Sequence, residues 1–289
     1  MGKTDLHLHL SFAPVSKSDA MSVSSYQEML PHLKELGIDR GVLMSCGETK
    51  GLLPCGTNEE NRRIAEADPE HYAWMCCLDD DRQTETVYDR LAACKQQGAV
   101  GIGELTINRR LDDPFLDAIF ESAGQLGMPV TFHMSPEEGY SYGVVDEPGL
   151  PLLEACLKKH PDTLFLGHSQ TFWIEISKDA PKDREGRNQW GKGAVVPGGR
   201  VPELFLRYPN LCGDLSANSA GCALMRDPQF GLDFLEQFAD RLFFATDMVN
   251  TEMVFPLGAW LDEQRDAGRL SRMTYDKICR ENAKRVFGV

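Results

Sequence analysis

Two histidines stand two residues apart almost at the start of the chain, in the segment TDLHLHL at residues 4–10. Alternating polar and apolar residues are typical of a β-strand, because successive side chains of a strand point to opposite faces. We therefore expect one face to carry Asp5, His7 and His9, and the other to carry Leu6, Leu8 and Leu10. Two imidazoles on one face lie within reach of a single metal ion. If the strand is buried, they need such a partner, since buried polar groups must be satisfied.

Residues of the same chemical types lie at the ends of four later apolar segments. These are Glu104 in GIGEL, His133 in TFHMS, His168 in LGHS and Asp247 in FATDM. Taken singly, such a histidine is more often a hydrogen-bonded structural residue, and such a carboxylate more often caps a helix or pairs with an arginine. Four imidazoles and two carboxylates that meet at one place suit Zn²⁺, Mn²⁺ or Fe²⁺ better than Ca²⁺ or Mg²⁺. Whether they meet depends on the elements that carry them.

Short apolar segments alternate with amphipathic helical patterns along the whole chain of 289 residues. The predicted strands are 4–10, 41–46, 72–79, 99–106, 129–135, 163–169, 211–217 and 241–248. Each is followed by a helical pattern, and no linker-like composition divides the chain. Eight βα units predict an α/β fold, a (β/α)8 TIM barrel of parallel strands that forms a single domain over residues 1–289. Such barrels place their active sites at the carboxyl ends of the strands, which would bring the six polar residues together.

The connection between residues 170 and 199 departs from this alternation of strands and helices, because no long helix or strand is predicted there. Loops longer than ~12–15 residues in a compact domain are usually functional or disordered. This one carries Trp173, Trp190 and Arg187. We expect it to be a lid or substrate loop with Trp173 in contact with substrate. Asn218, after the seventh strand, is a second expected substrate contact, although helix capping or a hydrogen bond within the barrel explains it equally well.

Composition limits the partners that we expect. Acidic residues outnumber basic ones by 44 to 30, which gives a net charge of −14 and disfavours nucleic acid and anionic membranes as partners. No segment reaches the ~18 apolar residues of a membrane helix, and the N-terminus lacks a signal-peptide pattern. The nine cysteines are scattered without a CxxC pair, as in a cytoplasmic protein with free thiols. We expect a small-molecule substrate, and the sequence leaves a homo-oligomer open.

The order of these motifs along the chain resembles the amidohydrolase superfamily, with HxH on the first strand, His on the fifth and sixth, and Asp on the eighth. The segments YPNLCGDLSA, DRLFFATDM and ENAKRVFGV resemble its amidohydrolase-related branch, which includes metal-dependent TIM barrels of the aminocarboxymuconate-semialdehyde decarboxylase type. The resemblance extends over essentially the whole chain. It implies that His7, His9, His133 and Asp247 bind a divalent metal, with zinc expected first and manganese or iron as alternatives.

The fourth strand departs from one pattern of the superfamily. Its binuclear hydrolases often use a carboxylated lysine there, whereas this chain has Glu104. A glutamate in IGE is similar to TatD-type metal nucleases, in which it bridges two metals. The resemblance therefore implies either one ion, with His168 as a catalytic residue, or two ions, with Glu104 and His168 among the ligands.

The expected activity is metal-dependent hydrolysis of an amide, lactone or ester in a small molecule, with Asp247 and His168 as catalytic residues. Non-oxidative decarboxylation of a small carboxylic acid is the alternative, because it can use the same ligands. A TatD-type phosphodiester hydrolase and a non-catalytic binding barrel are more distant alternatives. A serine hydrolase is disfavoured because Ser169 in GHSQ does not stand in a GxSxG motif.

Overall fold

Eight parallel strands form the centre of the structure, as the apolar segments predict. The computed structural model describes residues 2–15, 22–49, 56–80 and 85–289. Its strands are β1 Lys3–Leu8, β2 Ile38–Leu43, β3 Tyr72–Trp74, β4 Ile102–Leu105, β5 Val130–Ser135, β6 Phe165–His168, β7 Leu211–Asp214 and β8 Leu242–Phe243. An additional two-residue strand, Val144–Val145, pairs in parallel with the end of β5.

Helices follow the strands and cover the outside of this sheet. They are α1 Tyr26–Glu35, α2 Asn58–Ala67, α3 Val87–Gln96, α4 Pro114–Leu126, α5 Pro151–Lys159, α6 Gln170–Trp173, α7 Arg184–Arg187, α8 Arg200–Arg207, α9 Ala217–Met225, α10 Pro228–Gln237, α11 Leu257–Asp266, α12 Arg272–Asp276 and α13 Asn282–Phe287. Short 3-10 turns lie at Ile174–Ile176 and Ala239–Arg241, and one π turn at Lys277–Glu281. The ends of α4 match the sequence signals, since Pro114 occupies its first turn and Gly127 follows it in a left-handed conformation at φ 61°.

The strands form two ladders that meet at two seams. Regular pairing links β1, β2 and β3, and separately links β4 through β8 in chain order. At the first seam the amide of Val100 donates to the carbonyl of Trp74. At the second seam the amide of Leu6 donates to Phe244 and that of Asp247 donates to His7. Hydrogen bonds therefore continue around the ring, and the predicted (β/α)8 architecture is confirmed.

An apolar cluster fills the barrel below its carboxyl end. Leu166, Cys212 and Ala245 belong to this cluster, and each lies two residues before a polar residue, namely His168, Asp214 and Asp247. Side chains two residues apart share a strand face, so the same face is apolar deep in the barrel and polar at its mouth. Ala283 and Phe287 of α13 close the cluster from the opposite end.

The first strand does not keep the simple alternation that its sequence predicts. Leu6 packs in the cluster inside the barrel, whereas Leu8 and Leu10 pack in the larger cluster between strands and helices. The pairing of β1 with β2 shifts register between Asp5 and Leu8, which breaks the strict two-residue period. The expectation that Leu6 shares a face with Leu8 and Leu10 is therefore wrong.

The connection from 170 to 199 is attached to the barrel through buried side chains. It contains α6, the turn at Ile174–Ile176 and α7, and no longer element. The buried guanidinium of Arg187 donates to the carbonyls of Pro136 and Asp146, which lie after β5. Arg200 just beyond this connection pairs with Glu154 and Glu203. The side chains of Arg187 and Arg200 are thus engaged within the protein.

The cysteines and the lengths of the helices are the last features of the fold that bear on the sequence analysis. The eight described cysteines are all free, and Cys55 lies outside the described residues. Among the helices of the described segments, none combines the length and apolar character needed to cross a bilayer.

The seam between β1 and β8 depends on a buried carboxylate, which gives a first prediction. Asp5 accepts hydrogen bonds from the amide of His7, the amide of Thr246 and the hydroxyl of Thr246, the last at 2.6 Å. Replacing Thr246 by valine leaves one Asp5 oxygen without its donor. We expect Thr246→Val to lower the free energy of unfolding in urea by about 1–3 kcal/mol.

The matched control is Thr251→Val, because Thr251 is exposed and close in sequence. This change should stay within about 0.5 kcal/mol of the wild type. Equal stability of Thr246→Val and wild type would show that the hydroxyl does not support the seam.

Candidate metal centre

Two imidazoles of the first strand and two carboxylates form one half of the polar cluster. The Nε2 atoms of His7 and His9 lie 3.0 Å apart. Glu104 places Oε2 at 3.8 Å from the first of these atoms and 3.5 Å from the second. Asp247 places Oδ1 at 3.5 and 3.3 Å from the same two atoms. Two ligands of one zinc ion lie at most about 4.2 Å apart, since each lies about 2.1 Å from the metal.

The other two histidines surround the second oxygen of Glu104. His133 places Nδ1 at 2.8 Å from Oε1 of Glu104, and His168 places Nε2 at 3.6 Å from the same oxygen. His168 Nε2 also lies 3.7 Å from Oδ2 of Asp247. The two oxygens of Glu104 thus face two different pairs of imidazoles. All six residues that the sequence predicts as metal or catalytic groups come together here, and His/Asp/Glu groupings with metal-binding spacing include every one of them.

Nearly all of this cluster is closed to solvent. The side chains of His7, His9, Glu104 and His168 are at most 5% exposed. Asp247 differs, because its side chain is 26% exposed. Asp247 is therefore the carboxylate of the cluster that a substrate can approach.

The charges of the cluster indicate whether it suits a metal ion. Burial acts to lower the pKa of His7, but Asp214, Asp247 and Glu104 outweigh it and raise the pKa to about 9. Burial acts to raise the pKa of Glu104, but hydrogen bonds from His133 and His9 hold it well below its usual range. Without a metal, the buried carboxylates are balanced by protons on imidazoles. A divalent cation would supply the same compensation, so the donor set fits a metal such as zinc.

His168 has the opposite electrostatic behaviour. Burial and the nearby charge of His7 lower its pKa to about 4, so its imidazole is neutral at neutral pH. Its Nδ1 lies 2.7 Å from the hydroxyl oxygen of Ser216. If that nitrogen carries the proton, Nε2 has a free lone pair directed towards Glu104 and Asp247, as a metal ligand requires.

Groups behind the histidines hold their rings. Asp214 at the end of β7 places Oδ2 at 2.6 Å from Nδ1 of His7. Cys46 places Sγ at 3.6 Å from Nδ1 of His9. A carboxylate on Nδ1 fixes the tautomer of a metal-binding histidine and raises its basicity. The sequence shows Asp214 at a strand end, but its partner lies more than 200 residues away and is revealed only by the barrel.

Asp247 has an uncommon backbone conformation. Its φ of 62° lies in the left-handed region, which aspartate adopts at less cost than most residues. The amide of Asp247 donates to the carbonyl of His7 at 2.8 Å, and the preceding Thr246 is bound by Asp5. These contacts hold the turn that directs the Asp247 carboxylate towards the histidines of β1.

The two predicted substrate contacts have different environments. Trp173 is 1% exposed, packs edge-on against Phe172 and Phe234, and donates its indole N–H to the carbonyl of Asp214. Its ring is enclosed in the core, so the expectation that it contacts substrate is not supported. Asn218 is half-buried near the start of α9, two residues after Ser216. A substrate contact of Asn218 stays a prediction.

Comparison with solved structures shows the same fold in enzymes of several activities. The 2,6-dihydroxybenzoate decarboxylase from Rhizobium is 16% identical, with a TM-score of 0.62 over 100% of this chain and 99% of that one. The 5-carboxyvanillate decarboxylase from Sphingomonas paucimobilis is 12% identical, with a TM-score of 0.63 over 100% and 99%. A probable 2-pyrone-4,6-dicarboxylic acid hydrolase from Acinetobacter baumannii is 13% identical, with a TM-score of 0.59 over 100% of both chains.

No curated protein sequence matches the chain. The family described as Amidohydrolase matches it over residues 4–289, from the strand that carries His7 and His9 to the C-terminal residue. This match includes every residue of the polar cluster, and the chain therefore belongs to the amidohydrolase family.

Proposed function

We propose that this protein is a metal-dependent hydrolase that cleaves an amide, lactone or ester bond in a small molecule. The observation that carries the proposal is the position of Glu104, whose two oxygens face two separate pairs of imidazoles. A carboxylate in this position can be shared by two cations, and paired ions are a common arrangement in hydrolytic enzymes.

The side chains divide into two ligand sets around Glu104. His7, His9 and Asp247 would hold one divalent ion with one oxygen of Glu104. His133 and His168 would hold a second ion with the other oxygen. Zinc suits these nitrogen and oxygen donors best, with manganese and iron as alternatives. When bound, such ions lower the pKa of water towards neutrality and polarise a substrate carbonyl.

Asp247 is the residue that we assign to proton transfer. Burial acts to raise its pKa, but His7, His9 and His168 outweigh this and lower it, so the carboxylate is ionised and ready to accept a proton. It is also the most exposed carboxylate of the cluster. It would take the proton of the attacking water and deliver it to the leaving nitrogen or oxygen. His168 then serves as a ligand of the second ion.

Decarboxylation is the second candidate, because two of the similar structures are decarboxylases, one of 2,6-dihydroxybenzoate and one of 5-carboxyvanillate. In that reaction a single ion would be held by His7, His9, His133 and Asp247. His168, which lies outside this ligand set, or Asp247 would then protonate the carbon that loses carbon dioxide. The number of bound ions therefore separates the two proposals.

Elemental analysis of purified protein reconstituted with zinc gives the second prediction. We expect about two equivalents in the wild type and strong loss of both in the His7→Ala/His9→Ala double variant. Glu104→Gln should lower the content to about one equivalent or less, since it removes the shared charged ligand.

The control is His71→Ala, because His71 pairs with Asp68 outside the cluster and should leave the zinc content unchanged. One equivalent in the wild type would favour the single-ion site and decarboxylation. No zinc after reconstitution would contradict both proposals.

Activity gives the third prediction. The zinc-loaded protein should hydrolyse p-nitrophenyl acetate, and Asp247→Asn should lower kcat by about 10²- to 10⁴-fold, because the amide cannot accept the proton. Elemental analysis of the variant must accompany the assay, since Asp247 is also a proposed ligand. Asp240→Asn is the matched control, because Asp240 is exposed and pairs with Lys277.

The competing reaction is tested with 2,6-dihydroxybenzoate as substrate and measurement of released carbon dioxide. We expect no release above that of the His7→Ala/His9→Ala variant. Carbon dioxide release by the wild type, together with inactivity towards the ester, would reverse the order of the two candidates.

A further inference from the structure

A tyrosine lies directly against the metal-binding cluster. The ring of Tyr142 packs on the imidazole of His133, with ring centroids 4.2 Å apart and planes tilted by 42°. Tyr142 is 44% exposed, whereas His133 is 6% exposed. The tyrosine therefore covers one side of the cluster and still presents part of its own surface to the mouth of the barrel.

Backbone contacts fix the segment that carries this tyrosine. The amide of Gly143 donates to the carbonyl of Thr106 at 2.8 Å, and the side-chain amide of Asn108 donates to the carbonyl of Gly143 at 3.0 Å. The following Val144–Val145 strand pairs with the end of β5. The segment is thus joined to the ends of both β4 and β5, which carry Glu104 and His133.

Gly143 allows this close approach. Its φ is 108°, and a Cβ at this position would lie 2.7 Å from the carbonyl oxygen of His133 and 2.8 Å from the imidazole carbon Cδ2. A residue with a side chain would push the backbone away from His133. The glycine therefore brings Tyr142 into contact with the imidazole.

The hydroxyl of Tyr142 has no hydrogen-bond acceptor among the residues that the structure describes. Among the described residues no hydrogen bond involves this hydroxyl, whereas those of Tyr72, Tyr208 and Tyr275 each donate to a protein oxygen. A phenol hydroxyl without a protein partner can donate a hydrogen bond to a bound molecule.

We infer that Tyr142 is a substrate-binding residue. Its ring forms one wall of the mouth, and its hydroxyl donates a hydrogen bond to the carbonyl oxygen of the bond that is cleaved. This inference rests on the proposed hydrolase function. The substrate would then have a carbonyl oxygen that contacts both the metal site and Tyr142. The phenol would donate a hydrogen bond to this oxygen as negative charge develops on it.

A structural role is the competing explanation, because the ring shields His133 from solvent. Two variants separate the roles. Tyr142→Phe keeps the ring and removes the donor, while Tyr142→Ala removes both. Tyr140→Phe is the matched control, since Tyr140 lies on the same segment but faces the guanidinium of Arg184 at 5.3 Å from its ring centre.

The test measures binding of p-nitrophenyl methylphosphonate, a charged mimic of the tetrahedral state of ester hydrolysis, to the zinc-loaded full-length protein by calorimetry. A hydrogen bond to a charged oxygen contributes about 1.5–3 kcal/mol, which corresponds to about a 10- to 100-fold increase in Kd for Tyr142→Phe. Tyr140→Phe should bind as the wild type does. Elemental analysis should show the same zinc content in all these proteins.

With p-nitrophenyl acetate, Tyr142→Phe should lower kcat more than it changes KM, because the donor acts most strongly on the developing charge. Phosphonate binding by Tyr142→Phe that equals the wild type would overturn the inference and leave only the shielding role. Absence of ester turnover by the wild type would count against the proposed hydrolase function instead. Phosphonate binding needs no turnover and tests Tyr142 separately.

Discussion

The buried carboxylate of Glu104 is the group on which the rest of the site depends. Its side chain is 4% exposed and lies within 4 Å of all four imidazoles of the cluster. A buried anion is costly unless it is paired with a positive charge. Here that charge must come from protonated imidazoles or from a metal ion between them. The positions of the histidines therefore follow from the need to compensate this charge. The arrangement also explains why they come from three separate segments of the chain, since β1, β5 and β6 must all reach Glu104 on β4.

Support for the site comes from the barrel itself. Asp5 binds Thr246 across the seam between β1 and β8, and the next residue is Asp247. Asp214 at the end of β7 holds His7 on β1. The same bonds thus join different strands of the ring and orient the polar side chains, so the stability of the ring and the geometry of the cluster are physically linked. The apolar cluster below, with Leu166, Cys212 and Ala245, separates these charges from the opposite end of the barrel.

The sequence predicts the elements and most of the cluster because both follow from local patterns. Apolar segments that alternate with helical patterns predict the eight strands, and the strand-end positions of His7, His133 and Asp247 predict where their side chains meet. Leu6 departs from prediction because a register shift in β1 depends on its pairing with β2. Trp173 differs from its prediction because an aromatic residue in a long connection can either pack in the core or contact a substrate. Its hydrogen bond to the carbonyl of Asp214 shows that it packs in the core, and this contact is visible only in the tertiary structure.

Tyr142 was not predicted because its position depends on contacts that the sequence does not display. The segment around it pairs with β5 and hydrogen-bonds to Thr106 after β4, and no motif marks either contact. The only local signal is Gly143, and a glycine after an aromatic residue has many explanations. The positions of residues in regular helices and strands can be predicted from the period of the sequence pattern. The positions of residues in irregular connections are known only from the tertiary structure.

Two carboxylates of the cluster differ in exposure, and on this difference we base the different chemical roles that we propose for them. Glu104 is enclosed by imidazoles and cannot reach a substrate, so we limit its role to binding positive charge within the cluster. Asp247 is 26% exposed and sits on a turn at φ 62° that directs its carboxylate to the mouth. Proton transfer needs a group that touches both the water and the leaving atom, and within the cluster Asp247 is the carboxylate that meets this condition. Similar folds catalyse both hydrolysis and decarboxylation, so the fold does not select the reaction. We propose that the selection depends on whether Glu104 joins two ions or only compensates the charge around one.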